Sequence, residues 1–401
     1  MKFLKKVFGI IIEKLFMVCG FTTSIIILLI IIFLFKEGIG LFNSPDVEDG
    51  YVLAVNESNC VNKISPQNIL DIFDAEITNW SDVGGKNEDI LVFRLSDITS
   101  YVSEEELGPE FENVPACLSK IIEENPGMIA YFPEQYVTPE LTARILDKGK
   151  ITPGQFFNGK QWYPTSQPSP IYGLLPLILG TLWVSIGAII IALPFGLAVA
   201  IYLAELADER LRKFLKPIIE LLAGIPSVVY GFFGLVVIVP LIQKIFSLPV
   251  GETGLAGSII LAIMALPTII TVAEDAIRST PRAMKESSLA LGATHWQTIR
   301  KVVIPYSISG ITAAAVLGIG RAIGETMAIL MVTGNSAVIP KTLLEPVRTI
   351  PATIAAELGE APAGGSHYEA LFLLGCILFL ITLIISITVE WISSKNRKQT
   401  I

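Results

Sequence analysis

RSTPRAMKESSLALGATHWQTIRKVVIP, residues 278–305, is the stretch on which the fold turns. Pro281 suits the first turn of a helix, and Gly292 suits a helix end or a turn. Ala283, Met284 and Leu291, then Trp296 and Ile299, supply apolar faces on either side of that glycine. Arg278, Arg282, Lys285, Arg300 and Lys301 keep the same stretch basic. The pattern predicts a helix, a glycine turn and a second helix lying flat on a membrane. Periodicity alone gives no more than an amphipathic helix resting on lipid.

On either side lie apolar runs, Gly254 to Ala273 and Val302 to Val332, the latter carrying Arg321 and Glu325. A bilayer core about 30 Å thick needs ~20 apolar residues in a helix, because lipid offers the backbone no hydrogen-bond partner. Four further runs reach that length: Leu15 to Phe35, Ile171 to Ala204 with Pro176 and Pro194 inside it, Pro217 to Gln243 with the single acid Glu220, and Ala370 to Val389. No small-residue cleavage pattern follows the first, so it reads as a retained anchor rather than a signal peptide. The expected fold class is an all-α transmembrane bundle of six spans.

Composition agrees. Hydrophobic residues make up 52% of the 401 and charged ones 16%, with a mean hydropathy of +0.63; soluble domains carry roughly 25% charge. The charge is also divided. Asn43 to Pro170 holds 21 of the 37 acids and 8 of the 29 bases, a net of −13, which leaves 21 bases against 16 acids, or +5, elsewhere. An acidic water-exposed insertion on a basic membrane body is the wrong distribution for nucleic acid, which needs a basic stripe on the soluble part. The acids serve first to keep the insertion soluble.

Lys2, Lys5 and Lys6, then Arg210, Arg212, Lys213 and Lys216, then the five bases quoted above, then Lys395, Arg397 and Lys398 fall on one side of a six-span topology. The other side has only Lys36, Lys244, Lys341 and Arg348 outside the insertion. By the bias of Lys and Arg toward the cytoplasm, both termini are expected there, in a multi-pass protein of the bacterial inner membrane. Domain limits follow: 1–42 for the N-terminal segment and first span, 43–170 for the extracytoplasmic insertion, 171–392 for a five-helix core with its cytoplasmic loop at 278–301, and 393–401 for a cytoplasmic tail. Cys60 and Cys117 both fall in the insertion, where an oxidising compartment permits a disulfide between them; Cys19 and Cys376 fall in spans. Neither pair has metal-ligand spacing. Lys86, Lys150 and Lys160 each follow a glycine but precede no Ser or Thr, so the phosphate cradle of a nucleotide-binding loop is missing.

Glu286-Ser287-Ser288, three residues, Gly292, nine residues, then Val302-Val303-Ile304-Pro305 resembles the EAA loop of ABC importer permeases, EAA, x3, G, x9, I-x-L-P, with Ser at both Ala positions. IELLAGIPSVVYGFFGL (219–235), LPTIITVAEDAIRSTPRAMKESSLALGAT (266–294), GIGRAIGETMAILMVTGN (318–335) and SHYEALFLLGCILFLITL (366–383) are similar to the phosphate-specific permeases of the PstC type. The likeness is loose over residues 1–42 and close over about 172–391. It implies the type I ABC importer permease fold and half of a phosphate-conducting path. It implies no cofactor on this chain, which is no enzyme, and ATP on a partner. The implied partners are a homologous second permease (PstA type), an ATPase dimer (PstB type), an extracytoplasmic phosphate-binding protein (PstS type) and membrane lipid. Glu286, Ser287, Ser288, Gly292 and Pro305 carry over as the loop that docks on the ATPase.

Arg321 and Glu325 stand four apart in an apolar span, on one face of a continuous helix, and are expected to pair. Each charge costs about 2.5–3.5 kcal/mol near the bilayer centre, so both should face the bundle interior or a water path. Their matching positions in the family imply a place in the substrate pathway, Arg321 offering a forked donor to phosphate oxygens. Glu220, Glu274, Asp275, His367 and Glu369 are weaker candidates. Gly224, Pro226, Gly231, Gly234, Gly310, Gly318, Gly320 and Gly324 are expected to let helices approach or bend. In the insertion, VNKISPQNILDIFDAEITNWSDVGG (61–85), DILVFRLSD (89–97) and IIEENPGMIAYFPEQY (121–136) resemble parts of a phosphate-binding protein, implying a partial α/β lobe. The turn after Arg94 lacks the glycines that would open backbone N–H groups to an anion, and Asp97 opposes one. A vestigial receptor lobe, a dock for the binding protein and a cap over the channel all fit. A membrane sensor with an external ligand-binding lobe is the competing function; six spans with buried charges and no cytoplasmic effector domain count against it.

Overall fold

A computed structural model describes residues 2–108, 111–139 and 141–398. The chain opens with α1 (Lys2–Gly40) and, after one 3₁₀ turn, builds a lobe. Its elements are β1 (Tyr51–Val55), α2 (Pro66–Phe73), β2 (Leu91–Arg94), α3 (Glu104–Leu107), α4 (Val114–Glu124), β3 (Met128–Pro133), β4 (Arg144–Ile145), α5 (Pro153–Asn158), β5 (Trp162–Tyr163) and β6 (Ile171–Tyr172). Four strands form one sheet in the order β2-β3-β1-β4, with β2 parallel to β3 and β1 antiparallel to both its neighbours; β5 and β6 form a separate pair.

Because side chains alternate along a strand, the sheet has two buried faces. Val52, Ala54, Phe93, Ala130 and Phe132 pack with Val114, Leu118, Ile121 and Ile122 of α4. Leu53, Val55, Ile129 and Tyr131 pack with Ile69, Ile72 and Phe73 of α2 and with Trp80. Trp80 is fully buried, and its indole N–H donates to the carbonyl of Gly127 at 2.8 Å. The lobe is therefore an α/β layered unit, made of Ile39–Leu174 with Ala361–Ala370 from far along the chain.

These two faces overturn the disulfide expectation. Cys60 is exposed in the loop beside Val61, which belongs to the α2 face, whereas Cys117 on α4 packs against the opposite face. Both thiols are free, with the sheet between them.

The remaining unit is helical. It contains α6 (Leu175–Ile201), continued by a π-helical turn at Tyr202–Leu206; α7 (Glu209–Ala223); α8 (Ser227–Phe233) and α9 (Val239–Phe246), joined by a π-helical turn at Gly234–Ile238; and α10 (Gly254–Arg278). It continues with α11 (Arg282–Ala290), α12 (His295–Thr298), a third π-helical turn at Ile299–Val303, α13 (Ile304–Gly324), α14 (Met327–Val332), α15 (Ile350–Glu357) and α16 (Ser366–Lys398). Residues 399–401 of the expected tail lie outside the described residues. Among the described residues, six helical stretches are long and apolar enough to cross a membrane: Ile12–Asn43, Leu175–Leu206, Ser227–Phe246, Gly254–Arg278, His295–Gly324 and Ser366–Trp391. α10 is the most enclosed of them and packs on α6 and α13.

Span limits shift from the sequence expectation, and three of the shifts have a clear structural cause. The second span starts at Leu175, because Ile171 and Tyr172 pair with Tyr163 and Trp162. The third starts at Ser227: the apolar run from Pro217 continues the face of α7, an amphipathic helix with no buried residue, until Pro226 breaks it. Glu220 therefore sits on α7 and not in a span. The fifth ends at Gly324, since Glu325 is extended (φ −74°, ψ 133°) and the chain restarts as the short α14.

Candidate functional site

The helix break at Gly324 decides how Arg321 and Glu325 are used. A continuous helix would stack them; an extended Glu325 swings its side chain away. Among the described residues the two form no ion pair with each other, which corrects the expected pairing. Arg321 occupies the last turn of α13, where free carbonyls favour a cation. Its guanidinium donates to the Thr268 hydroxyl of α10 at 3.5 Å. Glu325 instead lines a crevice with Thr181 and Ser185 of α6 and with Thr349, too tight to admit water. Both charges are half-buried.

The segment beyond α14 folds back on the same crevice. Val347 donates its N–H to the Thr333 carbonyl, and Thr349 caps α15. Arg348 and Glu357 form an ion pair, each largely shielded. The Thr181 hydroxyl of α6 accepts the Ile350 N–H at 3.0 Å, and Gly180 leaves just enough room for the Arg348 carbonyl, a place no larger side chain could share. Of the other glycines, Gly231, Gly234, Gly310 and Gly318 also sit where a Cβ would press on a neighbouring helix, while Gly320 and Gly324 face open space.

Toward the opposite end of α6 and α10 lies the loop quoted at the outset. α11 is followed by Gly292 at φ +84°, the left-handed region that penalises side chains; its N–H bonds the Leu289 carbonyl. Thr294 and Gln297 then form a capping box that starts α12, and Pro305 occupies the first turn of α13. Glu286 and Ser287 are exposed, as are Met284, Trp296 and Leu291, the last at 89%. These apolar side chains and Glu286 share the exposed part of the loop. Ser288 faces inward, sharing a hydrogen bond with Thr298 at 2.9 Å, and Thr280 shares one with Ser307 at 3.1 Å.

Sequence reasoning missed two ion-pair groups around this loop. Lys285 of α11 pairs with Glu205 in the π-helical turn that ends α6. Glu274, only 1% exposed, meets Lys216 of α7 at 3.0 Å and Arg278 at 3.5 Å, while Asp275 meets Lys216 at 3.2 Å. Burial pulls the Lys216 ammonium toward neutrality, but its hydrogen bonds to Glu274 and Asp275 outweigh that and raise its pKa. Linear sequence shows these charges at span ends and in the loops between them, and gives no register between the helices that carry them.

In the lobe, Arg94 turns away from the loop that follows it. Its guanidinium lies over the Phe73 ring, 5.3 Å from the centroid, and donates to the Phe73 carbonyl. The Asp97 carboxylate accepts the Arg94 backbone N–H at 3.1 Å and the Ser96 hydroxyl, also at 3.1 Å. A separate cleft of about 580 Å³ is lined by Asp46, Ser65, Gln67, Gln155, Lys160 and Tyr172, among others. Glu369, a weaker candidate, accepts from the Ser44 hydroxyl at 2.5 Å.

Residues 192–398 match the family described as binding-protein-dependent transport system inner membrane component, and residues 33–177 match a PBP superfamily domain. The chain is 40% identical over 247 residues to the probable ABC transporter permease protein YqgH of Bacillus subtilis (strain 168), an alignment covering 62% of this chain and 80% of the relative. It is 41% identical over 249 residues to the phosphate transport system permease protein PstC of Mesorhizobium japonicum, covering 57% and 75%. Among solved structures, an inward-facing MetNI methionine ABC transporter aligns at 20% identity and TM-score 0.44, covering 56% of this chain and 95% of that one.

Proposed function

Since the chain belongs to the binding-protein-dependent transport system inner membrane component family, we propose that it is the permease subunit of an ATP-driven phosphate importer, supplying half of the translocation path. Close relatives described as phosphate transport permeases support the substrate. The observation that carries the transport reading is the exposed helix–glycine–helix between α10 and α13, with Glu286 and Gly292 at its defining positions.

In this reading α11 lies on the cytoplasmic side, as do both termini, and docks on a separate ATPase dimer through Glu286, Ser287 and the apolar row beside them. Ser288 and Pro305 fix the loop to its own bundle. A second, homologous permease completes the path, and an extracytoplasmic phosphate-binding protein delivers the ion. Arg321 meets phosphate with its forked donors, and Glu325, on the opposite wall of the helix break, balances charge when the path is empty. ATP binds the partner chain; its differential contacts in two states supply the shift, because a ligand that binds both equally moves nothing. This chain performs no covalent step.

Co-purification tests the reading. Wild-type permease should bring down its ATPase from detergent-solubilised membranes, whereas Glu286→Lys and Gly292→Pro should lose it while keeping the second permease. Retention of the ATPase by both variants would remove α11 from the interface.

A further inference from the structure

We infer that Glu205 and Lys285 are positioning residues that make α11 and α6 move as one body, so that a displacement of the ATPase-facing loop reaches the far end of the bundle through α6. The inference rests on the transport reading above and names the route inside this chain.

Three observations meet at this pair. First, the ion pair joins α11 to α6 directly, and both side chains are largely withdrawn from water; separating two shielded charges leaves each uncompensated, so such a contact resists being pulled apart. Trp296 of α12, still exposed, lines an open groove with Pro194, Leu197, Ala198, Ile201 and Tyr202 of the same helix and its terminal turn.

Second, Glu205 sits in the π-helical turn Tyr202–Leu206, and another π-helical turn, Ile299–Val303, follows the loop where it enters α13. Such turns are local departures from the regular ladder, often found at functional sites. The second gives α13 a place to bend where it leaves the loop, while the first is the turn that the Glu205–Lys285 pair ties to α11.

Third, α6 at its other end forms part of the wall around Glu325. From Glu205 to Thr181 it spans about 36 Å at the usual helical rise. There Thr181 holds the Ile350 N–H, Gly180 abuts the Arg348 backbone, and Thr181 and Ser185 line the crevice that contains Glu325. A push on Lys285 is thereby delivered, along one helix, to the wall around Glu325 and to the first turn of α15. α10 also connects the two ends, through Thr280 and the covalent chain; the pair at Glu205 gives α6 its own attachment.

The test uses the assembled transporter, all subunits present, in proteoliposomes, reading phosphate uptake per ATP hydrolysed. Glu205→Gln and Lys285→Gln should each lower that ratio by about fivefold or more, the scale of typical coupling energies, with ATPase still co-purifying. The exchanged pair, Glu205→Lys with Lys285→Glu, should recover most of it. An unchanged ratio in the single variants, or an exchange no better than either, would overturn the inference. A second arm does not depend on charge: with the four native cysteines replaced, Glu205→Cys and Lys285→Cys are bridged by a short bis-maleimide. Uptake should persist, because the two helices travel together; loss of uptake on bridging would show that they must separate. Wild-type vesicles that take up no phosphate with ATP would instead count against the transport reading itself.

Discussion

Arg321 has two attractions at its position, and they separate by substitution. The C-terminal carbonyls of α13 favour any cation there, but only a planar fork offers an oxyanion two parallel donors. Arg321→Gln should cut phosphate uptake by roughly tenfold to hundredfold, the equivalent of one or two charge-assisted hydrogen bonds at 1.4 kcal/mol per decade. The complex should still assemble, and Arg321→Lys should fall between. Uptake unchanged in Arg321→Gln would take this residue out of the path. The sequence showed both charges but not their separation: the spacing of Arg321 and Glu325 is helical, and Gly324 is one of several glycines in the run, so nothing singles it out over Gly318 or Gly320 as the helix end. The opposite holds for Gly292, whose place as a turn was legible and whose φ of +84° explains why. Gly292→Ala should weaken ATPase association by about 1 kcal/mol, because alanine pays the left-handed strain. Titration of the complex with purified ATPase would measure it.

At the scale of elements, length and apolarity located all six spans, because lipid imposes a minimum that few other segments meet. They failed at α7, where Leu211, Phe214, Ile218 and Leu221 form an exposed apolar face that merges in sequence with the span beyond Pro226. The period of that face, rather than its hydrophobicity, was the signal to follow. In the lobe, alternation along β1 and β3 reads directly as two buried faces, and the same alternation keeps Cys60 and Cys117 apart. Trp80 anchors one face, and Trp80→Ala should cost about 3–5 kcal/mol, seen as faster proteolysis of the lobe in the intact protein. Asp46 behaves in the opposite sense. Burial, partly offset by Lys63 and by backbone N–H donors, raises its pKa above the ordinary 3.8. A folded-state pKa raised for an acid means that the folded form holds the proton more tightly, so stability falls as pH rises above 3.8. Asp46→Asn should therefore make the lobe less sensitive to protease at neutral pH, with the difference fading below pH 3.8; a variant more sensitive at neutral pH would contradict this.

For the molecule as a whole, two solvents shape two units. The bundle carries most of its charges at helix ends and in the loops between them, while the lobe holds most of the acids. Its fold was legible as an α/β lobe, and its match to a PBP superfamily domain agrees, but the side chains around Arg94 do not form an open anion site. Asp97 already takes the backbone N–H that an anion would use, and Arg94 is turned onto Phe73. Equilibrium phosphate binding to this permease, without the soluble binding protein, should detect no site lost on Arg94→Ala. Phosphate for import would then reach the proposed path at Arg321 from elsewhere, driven by nucleotide on another chain. Reconstituting this permease with its candidate partner permease, ATPase and binding protein in vesicles, and following labelled phosphate with sulfate in excess, tests that claim most directly. The account predicts uptake that requires ATP and withstands sulfate; ATP-independent accumulation, or uptake abolished by sulfate, would contradict it.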